Sequence, residues 1–527
     1  MSFKTRKLLA LLLIAALILP TTTSFDATSS EAKSVIKLKQ KNFDITEDLT
    51  AKIKIKNLPK NATVTYRSND KKVATVTKKG VIKAKGEGSA VITVRIKVKK
   101  KLIKKLTCKV TVFGYEPYPS ATPESTFTPI VSEKFIGDAK VKPADTFINQ
   151  VQDFSVNLFK SCGEKDVASG ANVLISPQSV LTDMMMATNG AKTTTLAELE
   201  KVMCGTTSFT DFRKSLCDMN ASMIYSDPVH FHIANSIWIR DEADRLQVKP
   251  EFIEDGEKWF NAESYVLPFD EAMVGKVNDW VNKHTSGMIP VLMNDLPTAG
   301  DVIHLINALA FEAAWAEPYQ DYQVSKDQDF TNAEGKTEKV NMLCDTLDSY
   351  LHDDHAVGFT RSYKGWDYSF LTILPDEKTG VSGYLKDMNG NTLRSFLKSR
   401  KSDYKVHTYL PEFTYDYKTE MSDGLKDMGI REAFTEGADF TGMADTKSGA
   451  LYIGQVTHKT HIELDKNGTK AAAVTDIGMS DATSVMPDPT REITIRLNRP
   501  FIYAIIQSST GIPVFMGVVN NAGKSRS

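Results

Sequence analysis

Charge is sorted along this chain more sharply than a single folded unit would require. Between Lys33 and Phe113 there are 23 Lys and Arg against five acids (Asp44, Glu47, Asp48, Asp70 and Glu87), a surplus of +18. The chain as a whole is neutral and residues 1–32 carry +1, so residues 114–527 carry −19. A basic module of about 80 residues is joined to an acidic body of about 400, and 527 residues exceed what one core of roughly 100–200 residues holds. The balance argues against a uniformly basic nucleic-acid binder, and 41% apolar residues argue against a disordered chain. The five cysteines are odd in number and lack CxxC spacing, so neither a disulfide scaffold nor a zinc ribbon is indicated.

The N-terminus predicts export. Lys4, Arg6 and Lys7 precede an apolar run from Leu8 to Leu19, followed by Pro20 and small polar residues, which is the layout of a secretory signal over residues 1–24. The run is short for a membrane span, and no later stretch reaches 18 uncharged apolar residues, so a secreted or extracellular protein is expected, with attachment to the cell surface left open.

Residues 33–113 alternate apolar and basic, as in Ala51 to Lys56 and Val91 to Val98, a period of two that predicts a small antiparallel sandwich with lysines outward. The stretches Thr63 to Asp70, Val73 to Val76, Gly80 to Ala84 and Gly86 to Thr93 resemble bacterial Ig-like modules of the second common type. Two readings stand for the lysines. They solvate the sheet and protect its edges, or they attach the module to an anionic cell-wall polymer or glycan. Residues 114–139, with Pro117, Pro119, Pro123 and Pro129 among Ser and Thr, are assigned as a semi-extended linker.

The acidic body opens with Phe147, Val151, Phe154, Leu158 and Phe159 on one helical face. Helices are predicted up to about residue 292, broken by a strand over 231–239. Strands are predicted over 302–314, 369–374, 406–410, 451–464, 493–497, 502–507 and 514–519. A helical half followed by a strand-rich half indicates an α+β domain. Hydrolase signatures are missing: there is no GxSxG elbow, no HExxH helix and no Gly-rich phosphate loop. His352 and His355 are read as loop residues rather than metal ligands, and Cys344 as a structural thiol. Ser176, Ser179 and His458 lack the strained turn of a catalytic nucleophile. Neither metal nor cofactor is expected.

Near the C-terminus, Asp465-Lys466-Asn467-Gly468-Thr469-Lys470-Ala471-Ala472-Ala473-Val474-Thr475 is followed by a polar run to Thr490 and then Ile495-Arg496-Leu497-Asn498-Arg499-Pro500-Phe501. In these residues the chain resembles a serpin, with further matches at Asn172 to Ser179, Ile306-Asn307-Ala308, Trp315, Glu334 to Met342 and Ala433 to Phe440, covering residues 140–522. The hinge also reads physically. Thr469, Ala471, Ala473 and Thr475 are small at each position that would alternate into a packed interior, so the segment can slide between strands.

The resemblance implies an α+β serpin fold with large sheets and an exposed reactive loop, and a monomeric suicide inhibitor that traps a serine protease as a covalent complex. By family match, Gly468, Thr469, Ala471, Ala472, Ala473 and Thr475 form the hinge. Ser176, Ser179, Asn307 and His458 lie under the opening sheet, and Trp315 where insertion begins. Counting from Gly468 places the scissile bond between Ala482 and Thr483, with Ser484, Val485 and Met486 as secondary candidates. No Lys, Arg or aromatic residue occurs from Ala471 to Thr490, so elastase-like and subtilisin-like pockets are the expected targets. A non-inhibitory serpin used for surface binding or display is the alternative. Lys466 and Lys470 stand where the family commonly has Glu, so the acid-to-base contacts there are expected to be missing or reversed.

Overall fold

The computed structural model describes residues 36–39, 41–46, 50–86, 88–113, 131–293, 295–447, 450–469 and 491–523. The signal segment 1–24, linker residues 114–130, the hinge beyond Thr469 (Ala471, Ala472, Ala473, Thr475) and the bond Ala482–Thr483 lie outside them. The chain divides into two compact units at residues 116 and 117. Among the described residues no helix is long and apolar enough to cross a membrane.

In the first unit, strands Asn42–Thr46, Lys101–Phe113, Gly88–Val98 and Ala62–Ser68 form one sheet in that order, and Thr50–Lys52, Val81–Ala84 and Ala74–Val76 a second. Ile82, Ile92, Val94, Ile96 and Val110 are fully buried, the inward half of the alternation. The sandwich is not wholly antiparallel, because Asn42–Thr46 runs parallel to Lys101–Phe113. Nor is 51–56 one strand: the chain is strand over Thr50–Lys52 and Ile55–Lys56, and between them Ile53 turns inward and donates its N–H to Gly80.

The second unit opens with helix α1, Asp145–Ala168, which buries Phe147, Val151, Phe154, Leu158 and Phe159; Asp145 in its first turn complements the helix dipole. Helix α2, Pro177–Asn189, starts with proline at its first position and Ser176 as its cap, whose Oγ accepts the Ser179 N–H at 3.2 Å. Residues 131–139 were assigned to the linker, but they are fastened to this unit. Ser132 bonds Asn261 and Glu257, Lys134 pairs with Glu257, and the Asp138 N–H donates to Asp218. Those polar partners lie more than 70 residues away in sequence, beyond what proline and serine content can report.

Among the described residues the main sheet has six strands. They are β1 (His230–Arg240), β2 (Ala262–Leu267), β3 (Ile303–Ala314), β4 (Phe413–Glu420), β5 (Thr457–Leu464) and β6 (Gly468–Thr469), in the order β2-β1-β3-β6-β5-β4. The two-residue β6 is antiparallel to both β3 and β5, so those two strands run the same way. Helix α2 packs between β3 and strand Pro513–Val519 of a second, more apolar sheet. A four-stranded sheet contains Arg491–Arg496. The strand expected over 451–464 is shorter, since residues 451–456 carry no ladder and are largely solvated.

Candidate functional site

The site is built around the end of β6. Asp465 turns the chain by accepting the N–H groups of Asn467 at 2.7 Å and Gly468 at 3.2 Å through Oδ1. Gly468 then lies opposite Ala314. A Cβ at Gly468 would sit 2.1 Å from the Ala313 carbonyl oxygen, so only glycine lets the chain approach β3 this closely here. Thr469 follows, paired with Ala313 on one side and Leu464 on the other, and its buried hydroxyl meets the Tyr363 hydroxyl at 2.5 Å. Gly468 and Thr469 of the predicted hinge are thus seated in the main sheet.

Trp315 closes the top of this arrangement. Its backbone N–H donates to Asn467 at 2.9 Å and its indole N–H to the Asp465 carbonyl at 3.0 Å, while its ring stacks on Tyr363 at 4.7 Å. The Arg361 guanidinium lies 3.9 Å over the Tyr319 ring and is ion-paired with Asp345. Lys466 pairs with Asp321 at 2.5 Å, so the basic partner stands on the side that leads into β6 and the acid opposite it. Their hydrogen bond raises the Lys466 pKa and lowers that of Asp321, but the pair is exposed and adds little to stability. Lys470 lies outside the described residues.

Lower in the sheet the structure brings Ser176, Ser179, Asn307 and His458 together around the start of α2. His458 Nε2 accepts the Ser176 backbone N–H at 3.0 Å, and burial pulls the imidazole pKa down to about 4. Ser179 Oγ donates to Asn307 Oδ1, Asn307 Nδ2 donates to Asn235 at 2.7 Å, and Asn235 donates onward to the Phe260 carbonyl at 2.5 Å. Ser176 Oγ is spent on the Val514 carbonyl at 2.9 Å. The imidazole therefore faces a peptide N–H and not a hydroxyl. This geometry pins strands to a helix and activates no nucleophile.

Among the described residues no three His, Cys, Asp or Glu side chains are grouped to hold a metal. His352 stacks on Tyr350, and His355 is 3.7 Å from Asp376. Cys344 is half-buried with Sγ 3.4 Å from Ser325 Oγ, and all five cysteines are free. Tyr363, Tyr319, Arg361, Asp345 and Asn235 belong to the site but went unnoticed in the sequence. Asn235 had a visible signal, a lone amide inside the apolar run Phe231 to Ile239, matched by Asn307 inside Ile303 to Phe311. Arg361 had none, because nothing in Thr360-Arg361-Ser362 reports the ring it will cover.

A family model described as serpin (serine protease inhibitor) matches residues 149–522, and one described as bacterial Ig-like domain (group 2) matches residues 33–110. Serpin A3-1 of Bos taurus is 29% identical over 396 residues, covering 72% of this chain and 90% of that protein. An uncharacterized serpin-like protein of Methanosarcina mazei is 26% identical, covering 69% of this chain and 85% of its own. Among solved structures, the native state of the thermophilic serpin tengpin is 34% identical with a TM-score of 0.67, covering 74% of this chain and 97% of that one. Human thyroxine-binding globulin in complex with thyroxine shares the fold at 22% identity and a TM-score of 0.62, covering 72% of this chain and 100% of that one. The chain belongs to the serpin (serine protease inhibitor) family and carries a group 2 bacterial Ig-like domain ahead of its serpin domain.

Proposed function

We propose that this protein is a secreted, monomeric suicide inhibitor of serine endopeptidases with elastase-like or subtilisin-like pockets. The observation that carries the reading is β6, two residues seated between the parallel strands β3 and β5 at one end of the sheet. It is the start of a strand; among the described residues β3 and β5 pair with nothing else on that side, and beyond Lys470 the residues to Thr475 are Ala, Val and Thr. The protease serine attacks the carbonyl of Ala482, the peptide beginning at Thr483 leaves, and the acylated loop extends β6 down the sheet. Each added residue exchanges water for strand hydrogen bonds at about 0.5–1.5 kcal/mol. Serpin loop insertion is itself the standard case of strand addition and of stored strain released by cleavage. In this reading Gly468 to Thr475 are the hinge, Trp315 marks where insertion begins, and Ser176, Ser179, Asn307 and His458 gate the opening sheet.

The test is incubation with elastase and with subtilisin, followed by a denaturing gel. An SDS-stable adduct and a released C-terminal peptide are expected. Clean cleavage with no adduct would make the chain a non-inhibitory serpin serving in binding or display.

For the N-terminal module we propose attachment to an anionic wall polymer or glycan. Arg67, Arg95, Lys97, Lys105 and Lys109 are exposed on one face of its four-stranded sheet, opposite the buried Ile92, Val94 and Ile96. Strand geometry spaces such charges about 5 Å across the sheet and about 7 Å along it, a repeat that suits a linear polyanion.

A further inference from the structure

The two longest strands of the N-terminal unit, Gly88–Val98 and Lys101–Phe113, meet in a hairpin whose tip carries charge and apolar surface together. Lys99 and Lys100 form the turn with φ of 47° and 64°, the left-handed region that Asn and Gly adopt most readily and lysine only at a cost. Beyond it the ladder runs Val98↔Lys101 and Lys97↔Leu102 and then shifts, so that Ile96 pairs with Lys104 and Ile103 is left without a partner across the ladder. In unbroken alternation Ile103 would stand opposite the buried Ile96 and turn inward. The bulge instead leaves it 41% exposed beside Leu102, which is 48% exposed.

No acid occurs from Gly88 to Phe113. Lys97, Lys99, Lys100, Lys101, Lys104 and Lys105 are all exposed around the apolar pair. Among the described residues the unit's acids lie away from the tip: Asp44 pairs with Thr111, and Asp70 is two residues beyond Ser68, the partner of Ile92. Leu58, also exposed, is in the connection leading into Ala62, which pairs with Val98 beside the turn. Among the described residues Lys101 to Thr107 have a neighbouring strand on one side only, because the pairing with Asn42–Thr46 begins at Lys109. The lysines along that edge discourage addition of a further strand, so a second copy fits poorly. A hydrated polyanion would use the charge and leave Leu102 and Ile103 in water. A bilayer with anionic headgroups uses both, offering phosphates to the ammonium groups and the acyl boundary to the apolar pair.

We propose that the hairpin tip docks this protein on an anionic lipid surface, with Leu102 and Ile103 entering the boundary between headgroups and acyl chains while the surrounding lysines meet lipid phosphates. The contact lies on the membrane and spans nothing. It is separate from protease trapping, and it uses the end of the module and apolar side chains that the polymer contact proposed above does not.

The test uses the chain from Phe25 onward, so that the apolar run Leu8 to Leu19 cannot itself enter lipid. Co-sedimentation is measured with vesicles of phosphatidylglycerol and phosphatidylcholine in equal parts and with vesicles of phosphatidylcholine alone, and binding to dextran sulfate serves as the soluble polyanion arm. The wild type should bind the anionic vesicles and not the neutral ones. Leu102→Ser combined with Ile103→Ser should bind the anionic vesicles about tenfold or more weakly, the effect of withdrawing two apolar side chains from the contact, with affinity for dextran sulfate unchanged. Lys99→Glu combined with Lys100→Glu should weaken both. Leu102→Trp should keep the wild-type affinity, and its emission should shift to the blue on anionic vesicles while that of the wild type's five tryptophans does not. No binding to anionic vesicles overturns the proposal. A double serine variant that binds them as the wild type does also overturns it and leaves the charged sheet face as the module's contact. Unshifted emission from Leu102→Trp on anionic vesicles overturns it without the serine variant.

Discussion

Ser176 donates its backbone N–H to Nε2 of His458 across 3.0 Å, joining the cap of α2 to the start of β5 over 282 residues of sequence. The bond requires an unprotonated Nε2. It is therefore the contact in the polar cluster that acid should break first.

The His458 pKa in the fold is about 4, below the ordinary value near 6.5, because burial penalises the cation. The unfolded chain takes up a proton below pH 6.5 that the folded chain refuses. This contribution is intact above about pH 6.5 and falls as pH drops, reaching roughly 3 kcal/mol lost by pH 4. Urea unfolding from pH 7 to pH 4 should show His458→Gln losing less stability than wild type; parallel curves would remove His458 as the acid-sensitive point.

Thr469 is buried against Tyr363, so Thr469→Arg would force a cation into the sheet at a cost of several kcal/mol, about 3–5 for an unpaired buried charge. The variant should be cleaved without forming an adduct, turning the inhibitor into a substrate. Ala471→Arg, two residues further on, should do the same. Unchanged adduct yield on denaturing gels would refute insertion along this face.

Ala482→Arg supplies the cation that trypsin-like pockets pair with their buried acid. Trypsin adducts should appear while the elastase adduct weakens by about tenfold or more. Persistent elastase inhibition with none toward trypsin would move the cut to Ser484, Val485 or Met486.

The basic module should bind anionic polymer steeply as salt falls, since screening shortens to about 8 Å at physiological ionic strength. A pull-down of residues 33–113 with purified anionic wall polymer at low and high salt checks this. Absence of binding at low salt would leave the spacer reading, with the lysines serving solubility and edge protection.

Much of the architecture was legible because burial leaves a period. The alternation in Val91 to Val98 and the helical stripe from Phe147 to Phe159 identify elements and faces, and both stripes are buried as their spacing requires. The run 324–331, the run 337–347 and helix Gly390–Lys398 went unseen. Strand Val324–Thr331 is half exposed and mostly polar, and a nine-residue helix is too short to establish a period.

The sequence by itself determined the division into a basic and an acidic unit, the small side chains at Thr469, Ala471, Ala473 and Thr475, and the two amides stranded in apolar runs at Asn235 and Asn307. Each is a property of a local stretch, readable from size, charge or polarity alone. Only the tertiary structure decided that Gly468 would lie against the Ala313 carbonyl, that Arg361 would cover Tyr319, and that Lys466 would find Asp321. Those partners are 40 to 160 residues apart. Hydrophobic patterning says which face is buried but not against what, because the choice of partner comes from closing the whole sheet at once, through many contacts that are each too weak to be read singly.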